Sequence, residues 1–304
     1  GIKSGSFLVY PSIILSGTHN SNIYATQNNT KSDNIAVITP SMEIKSNWNN
    51  HMLNLKLDSK IGRYNSNSKE NYIDSSATAT SRIDITRKTK FNLSTNYTKS
   101  HEERGTADDA QGNKPTISKT SKLSTGFTHD TGRISATINF DYNDLRFDDV
   151  TRANGTRVNN HDRNRKEYLA TTRLDYHFSP GYGIFAKAEF NKKTYSDRLD
   201  DNGVNHDSKG SKYSTGINLS ITNLINADLF IGKLKQNYSS PILRDVSSNV
   251  YGIKGYWNMT PRTTLTANLD KNIKETTIIN ASGIASLETK LQIEHELYKN
   301  LMAN

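Results

Sequence analysis

The chain has 304 residues, a formal net charge of +9, no cysteine and 33% hydrophobic residues, below the roughly 45–50% apolar share of an average globular domain. The absence of cysteine excludes disulfides and thiol-based metal or redox sites. Basic residues are interleaved with acidic ones and form no long block, so we expect no nucleic-acid partner.

Low hydrophobicity can indicate disorder, but the 15 Tyr, 9 Phe and 2 Trp are spread along the whole chain, and disordered segments are poor in aromatic residues. No run of about 18 apolar residues is present, so no transmembrane helix is predicted. A membrane barrel needs apolar residues on its lipid face only, because its lumen is polar. The composition therefore favours a β-barrel.

Taken in chain order, apolar residues alternate with polar ones at a period of two, which is typical of strands. The pattern is first clear at Leu53, Leu55 and Leu57, where helical spacing would send Leu55 to the far side. It returns in six further segments: 133–142, 168–178, 182–190, 213–221, 263–269 and 287–297.

The connections between these segments alternate in length. Short ones lie at 49–50, 87–89, 130–132, 179–181, 223–224, 260–261 and 299–300, and long polar ones at 24–33, 65–71, 104–116, 151–164, 199–210, 239–247 and 278–283. Short turns at one end and long loops at the other are typical of outer-membrane barrels, in which the short turns are periplasmic. The prediction is an all-β, transmembrane, antiparallel up-and-down barrel.

Residues 1–304 are interpreted as a single barrel domain with fourteen full strands and the start of another at Leu301. Bacterial barrels close with an even number of strands, and the chain ends in Met302-Ala303-Asn304 without the terminal aromatic usual in such proteins. We therefore expect the sequence to stop before the barrel closes, with roughly 16–18 strands in the complete chain.

Two groups of side chains are candidates for a role in the barrel. Aromatic residues near the strand ends are expected at the membrane interfaces: Trp48, Tyr142, Phe178, Tyr182, Tyr195, Trp257 and Tyr298. Charged residues at inward positions are either pore-lining or a network that braces the wall: Lys56, Asp58, Lys60, Arg82, Asp84, Asp141, Arg173, Asp175, Lys187, Glu189, Lys254, Asp270, Glu288, Lys290 and Glu294.

Motifs that carry chemistry are missing. There is no phosphate-binding glycine loop, and His101-Glu102 and His295-Glu296 both lack the second histidine of a zinc-protease motif. Asp200-Asp201-Asn202-Gly203 resembles a calcium loop in composition but not in spacing. No catalytic residue, metal or cofactor is predicted, and the chain is expected not to be an enzyme.

Several phrases resemble the outer-membrane barrels grouped as putative beta-barrel porin 2: SFLVYPSIILSGTHNSNIYAT, KSDNIAVITPSMEIKSNW, HDRNRKEY, FSPGYGIFAKAEFNKKTYSDR and DDNGVNHDSKGSKYSTGINL. The resemblance extends over essentially the whole chain. It implies an outer-membrane barrel, in many cases associated with export of capsule or exopolysaccharide. None of the phrases is a catalytic motif, so the resemblance assigns no functional residue.

The leading hypothesis is a passive pore or conduit for polar solutes in the outer membrane of a Gram-negative bacterium. The expected partners are outer-membrane lipid and lipopolysaccharide, the barrel-assembly machinery and a periplasmic polysaccharide-export protein; the sequence leaves the oligomeric state open. The alternative is a structural or surface-interaction barrel whose extracellular loops bind partners without an open channel. An outer-membrane enzyme and a soluble β-rich binding protein are the remaining alternatives.

Overall fold

The computed structural model describes residues 1–106, 109–221, 224–274, 284–298 and 301–303, with the backbone alone described at 272–274, 284–285, 298 and 301–303. Two three-residue 3-10 turns, Ser68–Glu70 and His161–Arg163, lie in loops. Within these ranges no helix has the length and apolar character needed to cross a bilayer. The regular structure of the described chain is therefore almost entirely β-strand.

The strands, numbered in chain order, are β1 Ile2–Ser4, β2 Phe7–Asn20, β3 Asp33–Ser46, β4 Met52–Tyr64, β5 Tyr72–Asp84, β6 Thr89–His101, β7 Ile117–Asp130, β8 Ile134–Phe147, β9 Val150–Thr151, β10 Arg157–Val158, β11 Arg165–Ser179, β12 Tyr182–Tyr195, β13 Ser208–Ile221, β14 Ile225–Tyr238, β15 Val246–Thr260, β16 Thr263–Lys274, β17 Ile284–Tyr298 and β18 Leu301–Ala303. Strands β9 and β10 form a separate hairpin, and the other sixteen described strands follow one another in chain order within a sheet. Every strand pair with a described register is antiparallel.

The predicted all-β, up-and-down fold is confirmed. In the described ranges fourteen strands are 12 to 15 residues long, and β18 begins at Leu301 as predicted. Strands of this length exceed the about 9–11 residues that cross a bilayer.

Tight turns join the predicted hairpins where glycine supplies a left-handed backbone. Gly132 between β7 and β8 has φ 91°, and Gly181 between β11 and β12 has φ 80°, a region that side chains with a Cβ rarely adopt. Asp130 adds a local bond, because its carboxylate accepts from the Gly132 N–H at 2.7 Å. The predicted turns at 223–224 and 299–300 and the loop at 278–283 lie wholly or partly outside the described residues.

The chain divides into two compact units. Unit 1 contains Gly1–Gly126, Asp141–Tyr168 and Lys193–Gly203. Its strands expose large apolar side chains on one face, such as Ile13 at 65% and Leu57 at 46%, while Val37 and Tyr72 on the other face are buried. Alternation along the strand thus separates an exposed apolar face from a covered one.

Unit 2 contains Phe127–Phe140, Leu169–Lys192 and Val204–Asn304. One cross-strand row joins Ile217, Leu229 and Ile253, and the next row joins Asn218, Asp228 and Lys254. Because neighbouring residues of a strand point to opposite faces, these rows define an apolar face and a polar face. Unit 1 has an apolar and a polar face of its own, defined in the same way, with Leu57 on the apolar face and Lys56 on the polar face.

Candidate functional site

Charged side chains on the polar face are paired two residues apart along single strands. In unit 1 the pairs are Glu43–Lys45 at 2.9 Å, Lys56–Asp58 at 3.3 Å, Arg82–Asp84 at 3.1 Å and Arg165–Glu167 at 2.7 Å. In unit 2 they are Arg173–Asp175 at 2.7 Å and Lys187–Glu189 at 3.0 Å. Side chains at i and i+2 stand on the same face of a strand, so each pair cancels its own charge where it stands.

In unit 2 one of these cations also reaches across the sheet. The Arg173 guanidinium on β11 lies 3.9 Å from the centroid of the Phe185 ring on β12. Beyond the ring, Arg173 donates to Asp228 on β14, from Nη1 at 2.5 Å and from Nη2 at 3.2 Å. Asn218 Nδ2 donates to the same carboxylate at 2.8 Å. The arginine therefore lies flat along the polar face, where it gains both cation–π and charge-assisted contacts.

A glycine makes this path possible. Gly216 on β13 lies between Phe185 and Asp228, and a Cβ there would come within 2.9 Å of the Phe185 ring and 2.1 Å of the Leu229 carbonyl oxygen. The ring occupies the space that a side chain would otherwise fill. Cation, phenylalanine, glycine and aspartate thus follow one another on four consecutive strands.

The same order recurs two strands further on. Lys212 on β13 lies 5.6 Å from the Phe230 ring centroid on β14, and its Nζ lies 3.2 Å from Asp270 on β16. A Cβ on Gly252 of β15 would come within 2.4 Å of the Phe230 ring. We call each set a cation ribbon: Arg173, Phe185, Gly216 and Asp228 form the first, and Lys212, Phe230, Gly252 and Asp270 form the second. Both ribbons hold a long cationic side chain against the wall.

The long-loop end of unit 1 carries a second set of ion pairs, which is more deeply buried. Arg104 donates to Glu70 from Nη2 at 2.6 Å and from Nε at 2.9 Å, and the two side chains are 9% and 2% exposed. Arg163 donates to Glu102 and lies 4.0 Å from the Phe147 ring centroid. These bidentate pairs tie together loops that are far apart in sequence.

Several loop groups have a shifted pKa. Burial of Arg104 opposes its charge, but the hydrogen bond and charge of Glu70 outweigh burial and raise its pKa. The Asn160 backbone N–H and then Arg157 lower the pKa of Asp149. Burial and the nearby Asp201 and Asp200 raise the pKa of Asp162. At the loop end the charged form is therefore favoured for Asp149 and disfavoured for Asp162.

The structure places the predicted inward charges on the polar face of their own unit. In unit 1, Lys60 lies opposite Asp74 and Asp141 accepts from the Ser124 hydroxyl at 2.5 Å. In unit 2, Lys254 lies opposite Asp228, Lys290 opposite Asn268 and Glu294 opposite Thr264. Glu288 lies directly opposite Asp270. Their role as pore lining stays a prediction.

The predicted interface aromatics divide by face. Trp48 contacts Phe7 edge-on at 5.6 Å, Tyr142 contacts Tyr168 at 5.3 Å, and Phe178, Tyr182 and Trp257 are exposed. Tyr195 differs, since strand alternation puts it on the face of Lys187 and Glu189, and the Arg165 guanidinium lies 5.8 Å from its ring. The role of Tyr195 at the membrane interface stays a prediction. The side chain of Tyr298 lies outside the described residues.

Sequence reasoning missed the parts of the ribbons that are not charged pairs along one strand. Phe185 and Phe230 fall at polar-face positions, where an aromatic residue breaks the alternation, and Gly216 and Gly252 lie beside them. A phenylalanine at a polar-face position, with a glycine on the next strand, is the sequence feature that could have indicated the ribbons. Strand alternation is enough to place Asp228 and Lys212 on the polar face, but it does not identify their partners on distant strands.

No group of three His, Asp or Glu side chains in the described chain could hold a metal ion. The geometry supports a braced, polar, charge-compensated surface opposite an apolar one. An antiparallel sheet with one polar and one exposed apolar face is the architecture of an outer-membrane barrel wall.

The family model for putative beta-barrel porin 2 matches residues 1–304, and the chain belongs to this family. No curated protein matches the chain. Among solved structures it is similar to the ferric-catecholate import receptor Fiu from E. coli K12, with 10% identity over 98% of this chain and 60% of that chain and a TM-score of 0.55. It is also similar to the siderophore receptor PiuA from Acinetobacter baumannii, with 9% identity over 97% of this chain and 58% of that chain and a TM-score of 0.50. The chain thus spans about three fifths of the length of these receptors, and the likeness shows the fold alone.

Proposed function

We propose that this protein is a non-enzymatic barrel of the Gram-negative outer membrane that forms a passive conduit for polar solutes. The observation that carries the proposal is the separation of the two faces. Ile231 on the apolar face is 67% exposed, whereas on the polar face Arg173 contacts both Asp175 and Asp228. Exposed apolar rows suit lipid, and a hydrated charged wall suits an aqueous lumen.

The cation ribbons favour an open conduit rather than a barrel whose lumen is filled by side chains. A long cation that pointed away from the wall would block a lumen, but Arg173 and Lys212 lie along it, above phenylalanine rings. Membership of a porin family agrees with a transport role. Exopolysaccharide is the candidate cargo on the family resemblance alone, with a periplasmic export protein and the barrel-assembly machinery as proposed partners.

Planar-bilayer conductance of the complete native protein tests the proposal. Refolded protein should give discrete current steps that scale with salt concentration, because an open aqueous lumen conducts ions. A matched sample carrying G216A, which is expected to disturb the wall, should alter step size or open lifetime. If natively folded, inserted protein passes no current, a passive conduit is ruled out.

A surface-interaction barrel is the second candidate, and one observation favours it. The buried Glu70–Arg104 and Glu102–Arg163 pairs fix the long loops of unit 1 in one arrangement, as a binding surface requires. The same bilayer measurement separates the two candidates, because a barrel that only displays its loops would be silent. Substituting Arg104 should then change partner binding and leave the silent barrel intact.

A further inference from the structure

The apolar face of unit 2 changes character towards the long-loop end of its strands. On β14 the face runs from Ile225 through Ile231 to Lys233 and Lys235, and on β13 it runs from Ile221 through Tyr213 to Lys209. Tyr213 lies opposite Lys233, and Lys209 opposite Asn237. Lys192 continues the same face on β12, two residues beyond Phe190, whose ring contacts Tyr213 at 5.8 Å. We call Lys192, Lys209, Lys233 and Lys235 the outer lysines.

The outer lysines have no acidic partners, unlike the paired cations of the polar face such as Arg173 and Lys187. All four are exposed, and none takes part in an ion pair within the described chain. No Asp or Glu occupies this face of β12 to β16 over the described residues. Diagonal neighbours on paired strands lie about 7–8 Å apart, so Lys209 and Lys235 can act on one ligand. Uncompensated cations this close repel one another and favour an anion between them.

An apolar groove adjoins the outer lysines on the side nearer the short turns. Its volume is ≈ 860 Å³, with Lys233 at one end and Leu174, Tyr213, Ile231 and Tyr251 along its sides. A second hollow of ≈ 740 Å³ shares Thr215, Ile231 and Tyr251 with it and extends between Ile217 and Ile253. Small residues at Ala186 and Ala188 form part of the first lining. A cationic end and an apolar trough together match an amphiphile with an anionic head.

We infer that the outer lysines and this groove form a binding site for a phosphorylated lipid of the outer leaflet, with phosphate at the lysines and an acyl chain in the groove. The inference rests on the proposed membrane location. Charge complementarity identifies the head, because an ammonium group is a compact partner for phosphate. The groove identifies a lipid as the occupant, because an acidic soluble protein bound at the lysines would leave the groove empty.

Native mass spectrometry of the complete refolded protein, with a diphosphorylated, acylated glucosamine disaccharide as the probe, tests this site. We expect one tightly held lipid on the wild-type protein and about 25-fold weaker binding to K233Q/K235Q, since each lysine near an anionic lipid surface contributes about a fivefold factor. K31Q/K69Q removes the same charge from exposed loop positions and should bind like the wild type. The dephosphorylated lipid should bind to the wild-type protein as weakly as the phosphorylated lipid binds to K233Q/K235Q.

Three results would overturn the inference. Equal affinity of K233Q/K235Q and the wild type would show that the lysines take no part. Complete displacement by millimolar inorganic phosphate would show that the groove holds no acyl chain. A change of oligomeric state in K233Q/K235Q without loss of lipid would assign the face to a second copy. Conductance of the same samples keeps the two proposals apart, because a silent barrel that retains the lipid contradicts only the conduit.

Discussion

At the scale of single residues, the ion pairs of Arg173 should contribute more to the free energy of unfolding than an exposed ion pair does. Arg173 lies between Asp175 and Asp228, and the three side chains are only 12–24% exposed. Replacing it by methionine keeps much of the volume but leaves two carboxylates without their cation. We expect R173M to lower the free energy of unfolding by about 1–3 kcal/mol, which denaturant unfolding in lipid would measure.

An exposed pair of similar geometry is the control for R173M. Arg157 donates to Asp149 at 2.6 Å, but the arginine side chain is 75% exposed. Exposed pairs contribute about 0–1 kcal/mol, so R157M should cost clearly less than R173M. Equal losses would mean that the first cation ribbon stabilises no more than a surface contact.

Two loop carboxylates should respond to pH with opposite sign. The pKa of Asp162 is raised by burial and by Asp201 and Asp200, and its Oδ1 is buried with no hydrogen-bond partner. Its charged form is thus disfavoured in the folded loop, so this cost is present at neutral pH and disappears as pH falls through the raised pKa. D162N should increase hydrogen-exchange protection of residues 160–164 at pH 7 but not at low pH.

Asp149 supplies the comparison within the same loop. Its pKa is lowered, first by the Asn160 backbone N–H, so its contribution is present above the unfolded pKa and is lost as pH falls through the folded one. D149N should therefore reduce protection at pH 7, in the opposite direction to D162N. The same direction for both variants would refute the assignment of these shifts.

At the scale of strands, Gly216 leaves room for the backbone of the next strand and for the Phe185 ring, which lies 2.9 Å from a Cβ built there. A Cβ at Gly216 would collide with the Leu229 carbonyl oxygen at 2.1 Å, whereas a Cβ at Gly17 on β2 meets nothing within 4 Å. G216A should lower stability by about 1–3 kcal/mol, the usual cost of overpacking. G17A should be neutral or slightly stabilising, because alanine loses less backbone entropy on folding. Unfolding midpoints of both variants measure the difference, and similar midpoints would contradict the role given to Gly216.

Strands and turns were predictable from the sequence because they follow local rules. Period two fixes which residues share a face, as at Leu53, Leu55 and Leu57, and Gly132 and Gly181 mark tight turns. The parity of a residue also fixes Arg173 and Asp175 as a pair. What alternation cannot give is the partner three strands away, such as Asp228, since the distance depends on register and on how a long side chain lies.

The loop pairs of unit 1 were unpredictable for a similar reason. Glu70 and Arg104 are 34 residues apart, and loop sequences carry no periodicity that relates one loop to another. Tyr195 poses a different problem, because its position near a strand end predicts an interface residue whereas strand alternation places it on the same side of β12 as Glu189. Position along a strand and side of a strand are independent, and both are needed to place a side chain.

At the scale of the whole molecule, the net charge of +9 would suggest an anion-selective pore, but the paired polar face argues otherwise. Lys56, Arg82, Arg173, Lys187 and Lys212 each have a carboxylate within 3.3 Å. Paired charges leave little field for a passing ion, while the unpaired outer lysines lie on the apolar face. We therefore expect a conducting protein to discriminate only weakly between cations and anions.

The zero-current potential across a bilayer in a tenfold KCl gradient measures this selectivity. Perfect selectivity gives about 59 mV for a monovalent ion, and the wild-type protein should stay close to zero. D228N/D270N removes one carboxylate from each ribbon and frees Arg173 and Lys212 from a partner, so its potential should move towards anion selectivity. K233Q/K235Q, which removes two positive charges from the apolar face, should leave the potential unchanged. A wild-type potential near the anion limit, or a shift in K233Q/K235Q as large as that in D228N/D270N, would mean that net charge and not local pairing governs the conduit.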